Sequence, residues 1–373
     1  MNVVCITRYA TRAILWVPAW YLQKGHAKPG ISMSGAKLGK ILMAHGSGGR
    51  LMHSLIDRVF RLHFADPELN QLADAAVMDG IRPRMAFTTD AFVVQPLQFP
   101  GGDIGKLAVC GTVNDLAASG AKPLYLSASF ILEEGLEIAL LEEIVISMAE
   151  VARSCGVRIV CGDTKVVGRG QCDQMFITTA GVGEVAVQYA ELATGRLIRP
   201  GDHVILNGTL GDHGMAVLAA RNHLGFYSDV ESDCAPLNTM LTPLTEAGLN
   251  LRFMRDPTRG GLASVLCEIA EMSGFGIEVF ETAIPVRNPV KAMCELFGFD
   301  VLHIANEGKM VIIAAPEDSE RAISLLKQSP YGADAIRIGE VVDIHHRQVR
   351  MKTVIGGSRI ISMPEGELLP RIC

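Results

Sequence analysis

FTTDAFVVQPLQFPGGDIGKLAVCGTVNDLAASGAKPLYLS, residues 87–127, is the stretch on which the fold turns. It opens inside a strand-like run from Met85 to Val94, continues as a helix-patterned run from Ile104 to Ser119, and alternates like a strand again from Leu124 to Leu132. Strand, helix and strand in succession favour sheets covered by helices over an all-α or all-β arrangement. Two acids break the apolar pattern: Asp90, behind Thr88 and Thr89, and Asp115, in Thr112-Val113-Asn114-Asp115. A buried carboxylate is costly unless it is hydrogen-bonded, paired or on a cation. Each is therefore either a capping or hydrogen-bonded acid, or a ligand of a hard cation such as Mg²⁺, which takes oxygen donors and keeps substrate phosphates in its shell.

The same alternation continues outward. Upstream, Leu51, Leu55, Val59 and Leu62 fall on one helical face behind His45-Gly46-Ser47-Gly48-Gly49-Arg50. Such glycines let backbone N–H groups approach an anion at a helix N-terminus, although a glycine-rich cap is more often only a turn. Downstream, Glu137 to Ser154 is a long helix and Val157 to Val160 a short buried strand. That strand ends in a turn, Gly162-Asp163-Thr164-Lys165, which offers an acid, a hydroxyl and an ammonium; Met175 to Val185 is another strand. Arg199-Pro200-Gly201-Asp202 marks a turn before a fresh strand, His203 to Asn207. Beyond it, helices near 213–223, 260–273, 288–297 and 317–328 alternate with strands near 276–281, 301–305, 309–315, 336–342 and 349–355. Asp256-Pro257-Thr258-Arg259 leads into a helix whose buried face is Leu262, Val265, Leu266 and Ile269, while Asn306-Glu307-Gly308-Lys309 sits between two apolar strands, either as a hairpin turn or as part of a site.

At 373 residues the chain exceeds the usual size of one core and suggests two domains. The expected division is an extension at 1–40, disordered; an N-terminal domain at 41–190; a C-terminal α/β domain at 191–355; and a flexible tail at 356–373. Met33 or Met43 is a candidate start for the folded protein. A net charge of −6 and no basic stripe argue against nucleic acid as a partner. Nine cysteines without a Cys-x-x-Cys pair indicate neither a disulfide framework nor a zinc site. Pro18 cuts short the one signal-like run, Arg8 to Leu22, and no run of membrane-spanning length follows, so a cytoplasmic protein is expected, with no membrane partner. The chain closes on Pro370-Arg371-Ile372-Cys373. A cysteine at a chain end is often incidental. Here it follows a run broken by Gly356, Gly357, Pro364, Gly366 and Pro370, and a loose segment from Ser362 would reach roughly 36 Å, so the thiol suits a carried group.

Taken together these motifs resemble the hydrogenase-maturation HypE family, within the superfamily of aminoimidazole ribonucleotide synthetase and selenophosphate synthetase. The resemblance covers about 41–373 and rests on HGSGGR at 45–50, the stretch at 87–127, FILEEGL at 130–136, GDTKVV at 162–167, GTLGDHG at 208–214, DPTRGGL at 256–262, ANEGKMV at 305–311 and PRIC at 370–373. It implies a two-domain α/β fold with mixed sheets covered by helices, dimeric through the N-terminal domain, binding ATP and Mg²⁺. Superfamily metal positions match Asp90, Asp115 and Asp256; Gly46, Ser47, Gly48, Gly49, Asn114, Asp163, Thr164 and Lys165 would assist in holding the nucleotide. The implied chemistry is loading of a carbamoyl group onto Cys373 by HypF, ATP-dependent dehydration to a thiocyanate, and transfer of the cyano group to iron held by HypC and HypD for a nickel–iron hydrogenase. Glu307 and Lys165 are the candidates for proton transfer, with Arg259 orienting Glu307 or holding phosphate. A synthetase acting on a free small molecule is the alternative. Its selenophosphate branch needs a cysteine or selenocysteine in the glycine-rich segment, which HGSGGR lacks. A non-catalytic carrier would have no use for the three acids.

Overall fold

The computed structural model describes residues 39–42, 45, 54–66, 84–221, 228–364 and 372. Strand β1 (Arg84–Phe92) forms one edge of a four-stranded mixed sheet with β2 (Ala121–Glu133), β3 (Arg158–Val167) and β4 (Met175–Val185), in the order β1-β4-β2-β3. One face is covered by α1 (Ile104–Ala118) and α2 (Ile138–Ser154). Asp103 starts α1 by accepting the N–H groups of Gly105 and Lys106 at 2.7 and 2.9 Å, which satisfies two of the donors that a helix start leaves open. The helix is apolar or small nearly all round and accordingly buried. Gly111 lets it lie against β1, since a Cβ there would stand 2.8 Å from the Phe92 ring. That approach carries Asp115 to the edge where Asp90 sits.

The second half is a seven-stranded sheet built from β5 (His203–Leu206), β6 (Leu251–Arg255), β7 (Gly276–Phe280), β8 (Val311–Ala314), β9 (Ile336–Val342), β10 (Val349–Lys352) and β11 (Ser358–Ile361), in the order β11-β10-β7-β9-β5-β8-β6. Its helices are α3 (Asp212–Ala220), α4 (Asn238–Glu246), α5 (Gly261–Ser273), α6 (Asn288–Phe297) and α7 (Pro316–Leu326). Leu262, Val265, Leu266 and Ile269 of α5 pack on Val204, Leu206, Val311, Ile313 and Ile338, so the face expected from the sequence is the buried one. The two halves share a second core in which Leu116, Ala121 and Val185 meet Leu237, Leu241, Leu251 and Ile312. Asn114 fastens that seam: it donates to the carbonyls of Ala235 and Glu307 at 3.1 and 3.2 Å and accepts from the Leu237 N–H at 2.8 Å.

Four expectations need correction. Strand β3 does not end before Gly162 but runs to Val167, because parallel pairing with β2 continues through Glu133↔Val167. Residues 301–305 form no strand; Val301–His303 is a 3₁₀ turn capped by Asp300, which accepts the Leu302 N–H at 3.1 Å. Leu62 is exposed, while Leu55, Val59 and Phe60 are buried. A π-helical stretch, Ile56–Arg61, accounts for this, because its wider i→i+5 turns rotate less per residue and leave Leu62 behind the α-helical phase. The segment 356–373 is not wholly a free tail, since β11 adds an antiparallel edge to β10. Strand β6 and helix α4 were not legible, being short, with Pro243 inside α4.

Candidate active site

Asp90 from β1, Gly111 and Asp115 from α1, Asp256, Thr258 and Arg259 from the turn before α5, and Glu307 from the turn before β8 line one polar cavity of about 140 Å³ between the two halves. Three of these positions have local causes. Thr88 donates to Asp115 Oδ2 at 2.9 Å, and Asp90 Oδ1 accepts the Ala91 N–H at 2.8 Å. The Glu307 N–H donates to Asp233 Oδ1 at 3.0 Å, and Lys309 Nζ lies 3.2 Å from Asp233 Oδ2. That contact is too poorly aligned to count as a hydrogen bond. It is a near-buried ion pair beneath the turn.

The cavity is crowded with negative charge. Burial pushes Asp256 up from 3.8 to about 7, with Asp115 and Asp90 adding repulsion. Part of Asp256 remains accessible by surface area, yet protein surrounds its carboxyl closely, and that crowding is what disfavours the charge. Burial also raises Asp90 and Asp115. Glu307 is raised well above the usual carboxylate range, first by burial and then by Cys234, Asp256, Asp233 and Asp90. Its Oε1 is buried without a hydrogen-bond partner. Acids held together at this cost, with an orphaned carboxyl oxygen, fit a hard divalent cation such as Mg²⁺. Among the described residues no three such groups converge closely enough to enclose an ion. Phosphate and water oxygens would have to complete its shell, as Mg²⁺ usually requires.

Asp90, Asp115, Asp256, Arg259 and Glu307 thus meet, although nothing in their spacing along the chain required it. Lys165 and Asp163 do not join them. Asp163 is in register with Ser129, Thr178 and Ala91, whereas Asp90 is in register with Thr179 and, through it, with Ala128 and Gly162. Asp163 and Lys165 therefore point to the opposite face of the sheet from Asp90, on the far edge strand, three strand spacings or about 14 Å away. There they pair with each other at 3.0 Å, both exposed, and Lys165 holds the Asp163 carboxyl below its usual range. The cause is the extra length of β3: on a strand, alternate residues face opposite sides, which a turn would not impose. Thr164 is buried on the helix side. Asn114, with both amide donors and its carbonyl engaged at the seam, is placed to shape the cavity wall. Gly46, Ser47, Gly48, Gly49 and Cys373 lie outside the described residues; His45, just ahead of the glycines, is buried and accepts the Leu42 N–H at 2.9 Å. A larger cavity, about 600 Å³ beside Lys122, Glu184, Tyr189 and Thr242, gathers no such set of acids.

Sequence reasoning missed Asp233, and it quoted Lys309 and His213 within motifs without giving either residue a role of its own. Asp233 sits in a segment without periodicity, after Glu231-Ser232 and ahead of Cys234-Ala235-Pro236-Leu237, and the apolar run that follows it is the one local signal it had.

A two-domain α/β subunit with an acid-lined cleft between its halves is the architecture these features define. The family described as AIR synthase related protein, N-terminal domain, matches residues 72–185, and its C-terminal domain counterpart matches residues 199–352. Carbamoyl dehydratase HypE of Rhodobacter capsulatus is 52% identical over 337 residues, covering 90% of this chain and 98% of its own. A crystal structure of HypE in complex with ATP superposes with a TM-score of 0.85 at 48% identity, covering 89% of this chain and 99% of that one. A HypE–HypF complex matches with a TM-score of 0.71 at 46% identity, over 85% of this chain and 100% of that one. The chain belongs to the AIR synthase-related proteins and, among them, to the HypE family.

Proposed function

We propose that this chain is an ATP-dependent carbamoyl dehydratase that converts a carbamoyl group on the Cys373 thiol to a thiocyanate, the source of a cyanide ligand for a nickel–iron hydrogenase. The observation that carries this reading is the cavity itself: Asp90, Asp115, Asp256 and Glu307 converge on it, in a chain whose relative of 48% identity and the same fold forms a complex with ATP. The balance is R–S–C(=O)–NH₂ + ATP → R–S–C≡N + ADP + phosphate + H⁺. The amide oxygen, a poor leaving group, attacks the γ-phosphorus and departs with phosphate while the nitrogen loses both protons.

Each residue has a part that follows from its surroundings. Asp90, Asp115 and Asp256 would hold Mg²⁺, whose chemistry is to neutralise the phosphates. Arg259, exposed at the rim, supplies positive charge to the transferring phosphoryl group. Glu307 is the proton acceptor at nitrogen. Burial and then the neighbouring acids raise its carboxyl well above the usual range, which strengthens it as a proton acceptor, and positive charge beside it would favour the ionised form that takes the proton. Lys165 and Asp163 lie too far across the sheet for proton transfer in this subunit. Their face of the sheet also exposes Met85 and Phe87, 60% and 65% accessible, which favours a homodimer joined through that face and brings Lys165 toward the joint. The glycine-rich segment 46–49 would complete the phosphate cradle, and the division near residue 190 would separate the ATP-binding half from the other.

HypF, which a relative binds, is the expected donor of the carbamoyl group, and HypC with HypD the expected acceptors of the cyano group, all in the cytoplasm. Among the described residues no helix is long and apolar enough to cross a membrane. Intact mass after incubation with HypF, carbamoyl phosphate and ATP tests the reading. The wild type gains a carbamoyl group and then loses one water, and Cys373→Ser gains nothing. A Cys373→Ser protein that is still loaded would instead favour a synthetase acting on a free small molecule.

A further inference from the structure

Glu307 is held through its backbone at both ends. Its N–H donates to Asp233 Oδ1 at 3.0 Å, and its carbonyl accepts from Asn114 Nδ2 at 3.2 Å. Asn114 lies on α1, in the N-terminal half, and Asp233 lies in the segment just ahead of α4. That segment is itself fastened to the N-terminal half on either side of Asp233. Before it, the Ser232 N–H donates to the Pro100 carbonyl at 2.8 Å. After it, the Ala235 carbonyl accepts from Asn114 at 3.1 Å, and the Leu237 N–H donates to Asn114 Oδ1 at 2.8 Å. Asp233 therefore keeps step with the half that carries Asp90 and Asp115.

The turn that carries Glu307 is shaped to this contact. Asn306, wholly buried, accepts the Gly211 N–H at 2.7 Å and donates to the carbonyls of Pro257 and Ile304 at 3.0 and 2.8 Å. The residue ahead of Glu307 is thus tied to the segment that carries Asp256. Behind Glu307, Gly308 lies so near Asp233 that any Cβ would overlap the Asp233 carbonyl oxygen. Lys309 then sets its ammonium 3.2 Å from Asp233 Oδ2, the two side chains being 10% and 4% exposed. A carboxylate buried this deeply needs a counter-charge. Lys309 supplies it and leaves Oδ1 free for the Glu307 N–H.

We propose that Asp233 is the positioning residue for Glu307: its carboxylate fixes the Glu307 backbone against the N-terminal half, so that the proton acceptor keeps one place relative to Asp90 and Asp115. The inference rests on the reading of Glu307 as proton acceptor and deepens it. Its consequence is selective. The cation and the nucleotide are assigned to Asp90, Asp115 and Asp256, so losing the Asp233 contact falls on proton transfer and leaves nucleotide affinity alone. A small displacement of a reacting group removes much of a rate that rests on position.

Two double variants isolate the hydrogen bond from the ion pair. Asp233→Asn with Lys309→Met keeps an amide oxygen to accept the Glu307 N–H, whereas Asp233→Ala with Lys309→Met removes the acceptor. Neither leaves a lone buried charge. Loss of water from the carbamoyl-loaded protein, followed by intact mass, should stay within about 3-fold of wild type in the first and slow at least about 10-fold in the second. KM for ATP should stay within about 2-fold of wild type in both. In a Glu307→Gln background the two should dehydrate at the same rate, because their difference acts through the Glu307 carboxylate. Backbone hydrogen exchange of the peptide containing Glu307, which needs neither ATP nor HypF, should be about 10-fold faster in the alanine variant alone. If that variant folds poorly, Asp233→Glu, which keeps the charge but shifts the acceptor by one methylene, should show the same slowing at unchanged KM. Equal rates or equal exchange in the two double variants, or a rate difference that persists with Glu307→Gln, would refute the positioning of Glu307 by Asp233. Wild-type dehydration by Glu307→Gln alone is a separate result, which overturns the proton-acceptor reading and the proposal with it.

Discussion

Replacing Asp256 with asparagine should make the ligand-free protein more stable at pH 8 while disabling it. The folded-state carboxyl titrates near 7 against an ordinary value of 3.8. The folded form therefore binds the proton more tightly than the unfolded chain does. The sign follows from that difference: stability from this group is complete below 3.8 and is lost as pH rises through about 7. At 1.36 kcal/mol per pH unit, holding Asp256 ionised costs at most about 4 kcal/mol. Water reaches the partly accessible residue, and asparagine keeps polar needs of its own, so the net gain is about 1–3 kcal/mol. In a protein of this size that is on the order of 2–5 °C in melting temperature. Differential scanning fluorimetry at pH 8 and pH 5, without divalent cation or nucleotide, reads it. The variant should melt above wild type at pH 8, and the gap should narrow at pH 5, where only the interval from 3.8 to 5 still separates the folded and unfolded titrations. Adding Mg²⁺ with ATP should raise the wild type and leave the variant nearly unmoved. A variant that melts below wild type at pH 8 would mean that Asp256 is held by favourable hydrogen bonds rather than strained by charge, and the cation-site reasoning would fail with it.

Glu307→Gln should still bind ATP and accept the carbamoyl group but stall before the water is lost, with dehydration slowed at least about 100-fold; unchanged dehydration by mass would assign Glu307 to the turn alone. Asn114→Ala should cost about 3–5 kcal/mol in urea unfolding, because it leaves the Leu237 N–H and the carbonyls of Ala235 and Glu307 unpaired at the seam; a loss below about 1 kcal/mol would show that the apolar contacts carry the seam without it. Phe87→Glu should convert a dimer to a monomer by light scattering without lowering the melting temperature of the subunit, since Phe87 is 65% accessible in the isolated chain; a variant that remains dimeric places the joint elsewhere.

The sequence determined by itself the parts of this protein that depend on periodicity. Helices α1, α2, α5, α6 and α7 and strands β1, β2 and β4 follow from apolar residues recurring at helical or alternate spacing, because burial of one face is a local property of the pattern. Asp90, Asp115 and Asp256 were legible for the complementary reason: each is an acid where the pattern or the motif resemblance makes an acid conspicuous. Tertiary structure alone decided which of these residues share a cavity. Asp90, Asp115, Asp256 and Glu307 come from four segments, and they meet because the core around Leu116 and Leu237, with the Asn114 hydrogen bonds, fixes one half against the other. Lys165 shows the converse. Its sequence neighbours suggested a turn beside the acids, but pairing of β3 with β2 extended the strand through it, and the two-residue alternation of a strand carried the ammonium to the other face. The contacts of His213 and Asp233 were invisible for the same reason, since they are hydrogen bonds to Ile372 and Glu307, 159 and 74 positions along the chain, and no local pattern encodes a partner at that distance.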